Sequence, residues 1–123
     1  VILCERGVRG FDPAMRNLLD LAGVAAVRRE SGLPVLVDPS HAVGRVDLVI
    51  DVARAAIAVG ADGLLVECHV DRARAASDGP QALSMGELSE LGRAIAAIAP
   101  AVGRSFSVPA LEEENTEVTL DAV

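Results

Sequence analysis

Lysine, tryptophan and tyrosine are absent from this chain of 123 residues, and phenylalanine occurs only at Phe11 and Phe106. Without lysine, these residues offer no Schiff base for carbon–carbon bond chemistry, which leaves a metal that polarises a carbonyl as the available route. With two aromatic residues and no basic stripe, the chain has no stacking platform for nucleic acid. No apolar run approaches the roughly 18 residues of a membrane span. No basic-then-apolar leader opens the chain, so the expectation is a cytoplasmic protein. Cysteine is scarce as well. Cys4 and Cys68 each lie in a strand-like run, where a buried, inert thiol is expected and no disulfide framework is implied.

What is present is a half-apolar composition, enough for the core of one domain. All eleven cations are arginine. Beyond Arg104 come Glu112, Glu113, Glu114, Glu117 and Asp121 with no basic residue, so the tail carries five of the seven net negative charges. The expected division is a folded region over 1–104 and an acidic tail over 105–123, disordered or loosely packed, with 116–120 able to add an edge strand. Val1 opens the chain inside a strand-like run with no initiating methionine, as a piece of a longer protein would.

Three short apolar runs read as strands: VILC at 1–4, PVLV at 34–37 and GLLV at 63–66. Helical patterns separate them. One starts near Asp20 and ends by Gly32, with Leu21, Val24, Ala25 and Val27 inward. The next takes Asp47 as N-cap and Gly60 as its stop. A short helical segment follows at 71–76, and a last helix opens at the capping-box pair Ser84 and Glu87 and runs to about Ala99. This β-α-β-α-β-α order makes the chain α/β, with parallel strands, right-handed crossovers and a sheet buried on both faces. Doubly wound and barrel arrangements both satisfy it.

Polar groups close these runs. His41 follows PVLV in Asp38-Pro39-Ser40-His41, Glu67 follows GLLV, and Asp78 lies just beyond in Asp78-Gly79-Pro80. Imidazole and carboxylates on neighbouring strand ends suit a divalent ion, and the C-terminal ends of parallel strands are where barrel enzymes place their chemistry. Glu67 ends a segment apolar enough to be buried, so its carboxylate must be paired, protonated or metal-bound. Asp78 also reads as an ordinary turn residue. Arg6, at the end of the first strand, reads either as a bidentate clamp for phosphate or carboxylate or as an ion-pair partner of Glu5. Arg9, Arg16 and Arg45 lie in loops at the same end and would widen an anion pocket.

The segments VILCERG, PVLVDPSHAVGR, GADGLLVECH and SDGPQAL, in this order, resemble the C-terminal portion of the 3-deoxy-7-phosphoheptulonate synthases, in the form related to 3-deoxy-octulosonate-8-phosphate synthase. The resemblance covers 1–103. It implies a partial TIM barrel, the last three βα units of eight, from a metal-dependent enzyme condensing phosphoenolpyruvate with erythrose 4-phosphate. By similarity, His41, Glu67 and Asp78 match metal ligands, His41 also being counted catalytic, and Arg6 matches the arginine that holds the phosphoenolpyruvate phosphate.

Gly10 and Met15 depart from an expected threonine, and Val46 from a frequent basic residue. The family's cysteine ligand, its lysine-proline-arginine-threonine loop and its phosphoenolpyruvate-binding lysine have no counterpart here. The resemblance therefore implies a chain inactive alone, dependent on an N-terminal barrel half or on self-association, and a homo-oligomer at full length. The octulosonate branch and a non-catalytic assembly module remain alternatives.

Overall fold

The computed structural model describes residues 1–106; the acidic cluster and the possible strand at 116–120 lie outside the described residues. Three parallel strands, β1 (Leu3–Glu5), β2 (Val35–Val37) and β3 (Gly63–Leu64), form one sheet in that order. Helix α1 (Leu21–Ser31) connects β1 to β2. A short α2 (Pro39–Val43) and a longer α3 (Val46–Val59) connect β2 to β3, and α4 (Met85–Ile98) follows two 3-10 turns.

Alternation along the strands decides what is buried. Leu3, Val35, Val37 and Leu64 face the helices and pack with Val24 of α1 and Ala56 of α3. A second cluster joins Val49 and Ala53 of α3 to Leu83 and to Leu91 of α4. The opposite face, with Cys4, Leu36 and Gly63 in register, carries no helix among the described residues. The expectation of a sheet buried on both faces is thus corrected: Leu36 is only half-buried and Cys4 is exposed. Cys68, just after the third strand, is exposed too. Partial burial and the Asp38 charge raise the Cys4 thiol pKa, with Arg6 pulling against them and Glu5 adding to the rise. Val27, expected inward, is exposed on α1 and lines a groove of about 300 Å³ beside β1.

Local signals set the helix ends. Asp20 caps α1 by accepting from the Gly23 N–H at 2.7 Å, and Gly32 closes the helix in the left-handed region. Asp47 is not the cap of α3. Arg45, in extended backbone, takes that position without a side-chain cap bond, and Asp47 pairs with its guanidinium from the first turn. At the lower end of the sheet Asp62 accepts from the Val35 N–H at 2.9 Å and pairs with Arg104 at 2.8 Å and Arg28 at 3.6 Å. Burial pushes its carboxyl up, but the Val35 N–H, Arg104 and Arg28 together hold it below its ordinary range.

Helix α4 opens on a complete capping box. The Ser84 hydroxyl accepts from the Glu87 N–H, and the Glu87 carboxylate accepts from the Ser84 N–H at 2.7 Å. Ser84→Ala is expected to cost about 0.5–2 kcal/mol in urea unfolding. Hydrogen bonds from the Ser84 hydroxyl and N–H, then the Arg72 charge, lower the Glu87 pKa. Its stabilising contribution is therefore complete above the ordinary glutamate range and is lost as pH falls through the depressed folded value. Glu87→Gln should flatten that acid limb, read as thermal midpoint against pH.

Candidate metal centre

Register places the polar groups. Glu5 pairs with Val37, so the next residues, Arg6 and Asp38, stand side by side above the strand ends, and the Arg6 Nε lies 3.3 Å from Asp38 Oδ2. Gly7 makes the turn out of β1 possible. Its φ is 100°, and a Cβ there would lie 2.7 Å from the Asn17 Cβ. Asn17 ties the same loop to α2, donating its backbone N–H to Ala42 O and its side-chain amide to His41 O.

The run Asp38-Pro39-Ser40-His41 is a helix start, with Asp38 as N-cap and Pro39 at its first position. Asp38 is 1% exposed and is used three ways: Oδ1 accepts from the His41 N–H at 2.9 Å, and Oδ2 meets His41 Nδ1 at 2.8 Å and the Arg6 guanidinium. Ser40, fully buried, accepts the Glu67 N–H at 3.1 Å and so fixes the segment after β3 against α2. The single turn of α2 aims His41 Nε2 away from Asp38.

That nitrogen lies 3.7 Å from Glu67 Oε1 and 3.7 Å from Asp78 Oδ1, and ligand atoms of all three residues fall within 4.8 Å of one another. Donors about 2.1 Å from one ion are about 3.4 Å apart in tetrahedral geometry, so small side-chain rotations suffice. One imidazole and two carboxylates form a donor set for a borderline divalent cation. The His41 side chain is 13% exposed, whereas Glu67 is 42% exposed, which corrects its expected burial. Glu67 forms no arginine pair among the described residues; its near partner is His41. Asp78 has φ 57°, the one positive-φ non-glycine residue described, and accepts from the Gln81 amide at 2.6 Å.

The anion pocket is narrower than expected. Arg6 stands beside the site, paired with Asp38 rather than Glu5. Arg45 is taken by Asp47, and the Arg16 stem lies against Gly44. Arg9 has no ion pair among the described residues. Sequence reasoning missed the bracing by Ser40 and Gln81. For Ser40, the Asp-Pro helix-start signal could have revealed it.

Residues 1–102 match the DAHP synthetase I family. The chain is 52% identical over 103 residues to phospho-2-dehydro-3-deoxyheptonate aldolase of Thermotoga maritima, covering 84% of this chain and 30% of that protein. It is 36% identical to 2-dehydro-3-deoxyphosphooctonate aldolase of Burkholderia mallei, covering 90% of this chain and 41% of that one. A solved truncated form of 3-deoxy-D-arabino-heptulosonate 7-phosphate synthase from Thermotoga maritima superposes with a TM-score of 0.84 at 51% identity, over 86% of this chain and 40% of that chain. The chain thus spans less than half the length of these relatives, and its three parallel strands with alternating helices form a partial TIM barrel. No described helix is long and apolar enough to cross a membrane. Strand order and likeness agree, and the chain belongs to the DAHP synthetase I family.

Proposed function

We propose that this chain supplies the cation-binding and phosphate-clamping portion of a 3-deoxy-7-phosphoheptulonate synthase, which condenses phosphoenolpyruvate, erythrose 4-phosphate and water to the seven-carbon product and phosphate. The observation that carries this reading is the convergence of His41, Glu67 and Asp78 at the C-terminal end of a parallel sheet. The identity of 52% to the heptonate enzyme against 36% to the octonate enzyme favours the seven-carbon branch. By this reading the protein serves the first step of aromatic amino acid biosynthesis, in the cytoplasm.

His41, Glu67 and Asp78 would hold a divalent ion of the manganese, zinc, iron or cobalt class. Such an ion, when bound, supplies Lewis-acid polarisation of the sugar carbonyl. Arg6 presents its guanidinium to the phosphate of phosphoenolpyruvate, with its Nε side occupied by Asp38. The three ion-binding groups and Arg6 fix the spacing between the reacting aldehyde and the clamped phosphate, which is the entropic contribution to the catalysis. All of them lie within the folded region, residues 1–104. The outer edges of β1 and β3, unpaired among the described residues, are where the remainder of the barrel would pair, and the complete enzyme would be a homo-oligomer.

The test is reconstitution. The 123-residue chain is mixed with the portion of the Thermotoga relative that it does not cover, and phosphate release is followed with Mn²⁺. Phosphate release is expected from the mixture with erythrose 4-phosphate and not from this chain alone. If the same portion regains activity with its own missing segment but not with this chain, the reading fails. A preference for a five-carbon aldose phosphate would move it to the octulosonate branch.

A further inference from the structure

We infer that Asp38 is the positioning residue of the site, setting through one carboxylate oxygen both the tautomer of His41 and the placement of Arg6. Its relevance to cation binding rests on the metal reading above. An ionised carboxylate only accepts hydrogen bonds. Asp38 Oδ1 accepts the His41 N–H, Oδ2 lies 2.8 Å from the imidazole Nδ1, and Oδ2 is ion-paired with Arg6 Nε at 3.3 Å. The proton of the neutral imidazole is therefore on Nδ1, and the Nε2 lone pair is left facing Glu67 and Asp78. Because Oδ2 also meets Arg6 Nε, the same atom fixes how far the guanidinium stands from the ring. The Asp38 end of both contacts is held, since Asp38 is buried and its other oxygen is engaged in the helix cap.

Asp38→Asn separates these roles from folding. Asparagine caps a helix about as well as aspartate, so its oxygen keeps the His41 N–H and its amide group replaces Oδ2. That NH₂ donates to Nδ1, forces the proton to Nε2 and turns an N–H toward the carboxylates where a lone pair is needed. It also sets a donor against Arg6 Nε.

The experiment is ¹⁵N NMR of the metal-free 123-residue chain at mildly alkaline pH, followed by Co²⁺ titration. The wild type is expected to show His41 protonated on Nδ1 and an Arg6 Nε resonance displaced from the free-arginine value by the neighbouring carboxylate. Asp38→Asn should move the proton to Nε2, return the Arg6 Nε resonance toward the free-arginine value and weaken Co²⁺ about 10- to 100-fold, with the far-UV spectrum unchanged. A wild-type His41 protonated on Nε2 overturns the inference whatever the variant does. So does an Asp38→Asn chain with the wild-type tautomer or the wild-type Co²⁺ affinity. If the tautomer switches as stated but the wild type takes no Co²⁺, the positioning role stands and the metal reading falls.

Discussion

His41→Ala is expected to weaken Mn²⁺ or Co²⁺ binding by more than about 100-fold, because it deletes one of three donors, a larger loss than removing a group behind a ligand. Its Nε2 is the atom that both carboxylates approach, at 3.7 Å each. Without it, Glu67 and Asp78 are two partly exposed anions with no imidazole to complete the set. The effect has a thermodynamic signature. An ion at about 100 times its dissociation constant stabilises the wild type by about 2.7 kcal/mol, and in the variant that increment should vanish, each protein being compared with its own ion-free melting curve because His41→Ala also removes a partner from buried Asp38. His69→Ala is the control, since that ring accepts from the Asp71 N–H away from the cluster. Equal Co²⁺ affinity in wild type and His41→Ala would remove the metal assignment.

Leu83→Ala is expected to destabilise the fold by about 2–5 kcal/mol, the range for a buried leucine that leaves a cavity. Leu83 is fully buried among Val43, Val49, Ala53 and Leu91. Its backbone also carries the segment beyond β3: its N–H donates to Glu67 O at 2.8 Å and its carbonyl accepts the His69 N–H at 2.9 Å. Loss of packing there should loosen Glu67 as well, so Co²⁺ affinity falls along with the urea midpoint. Met85→Ala, two residues on and half exposed, should stay within about 0.5 kcal/mol. Comparable midpoints for the two variants would contradict the placement of the core.

The strand and helix pattern was readable because each run has one dominant period and a strong stop: Asp20 and Gly32 around α1, Ser84 and Glu87 at α4. The meeting of His41, Glu67 and Asp78 was readable from neighbouring strand ends. What failed is what depends on which face is covered. Cys4 sits in an apolar run, yet it alternates onto the face that no described helix covers. Glu67 follows an apolar run but lies beyond the last paired position of β3, where the chain has left the sheet. Helix α2 went unread because only five residues separate its cap from Gly44, too few for a periodic signal. With it went the bracing of Glu67 by Ser40. Asp47 reads as a cap by residue type, but the left-handed Gly44 delivers Arg45 into the extended conformation that a cap needs.

The backbone at Asp78 bears on the idea of a scaffold that has lost its activity. A residue with a Cβ is held there in a conformation that glycine adopts freely. Glycine at 78 would relieve that backbone but would also lose the hydrogen bond donated by the Gln81 amide. In the reading proposed above the Asp78 carboxylate serves a cation as well as this turn, which makes residue 78 the place to look first when sorting working relatives from silent ones.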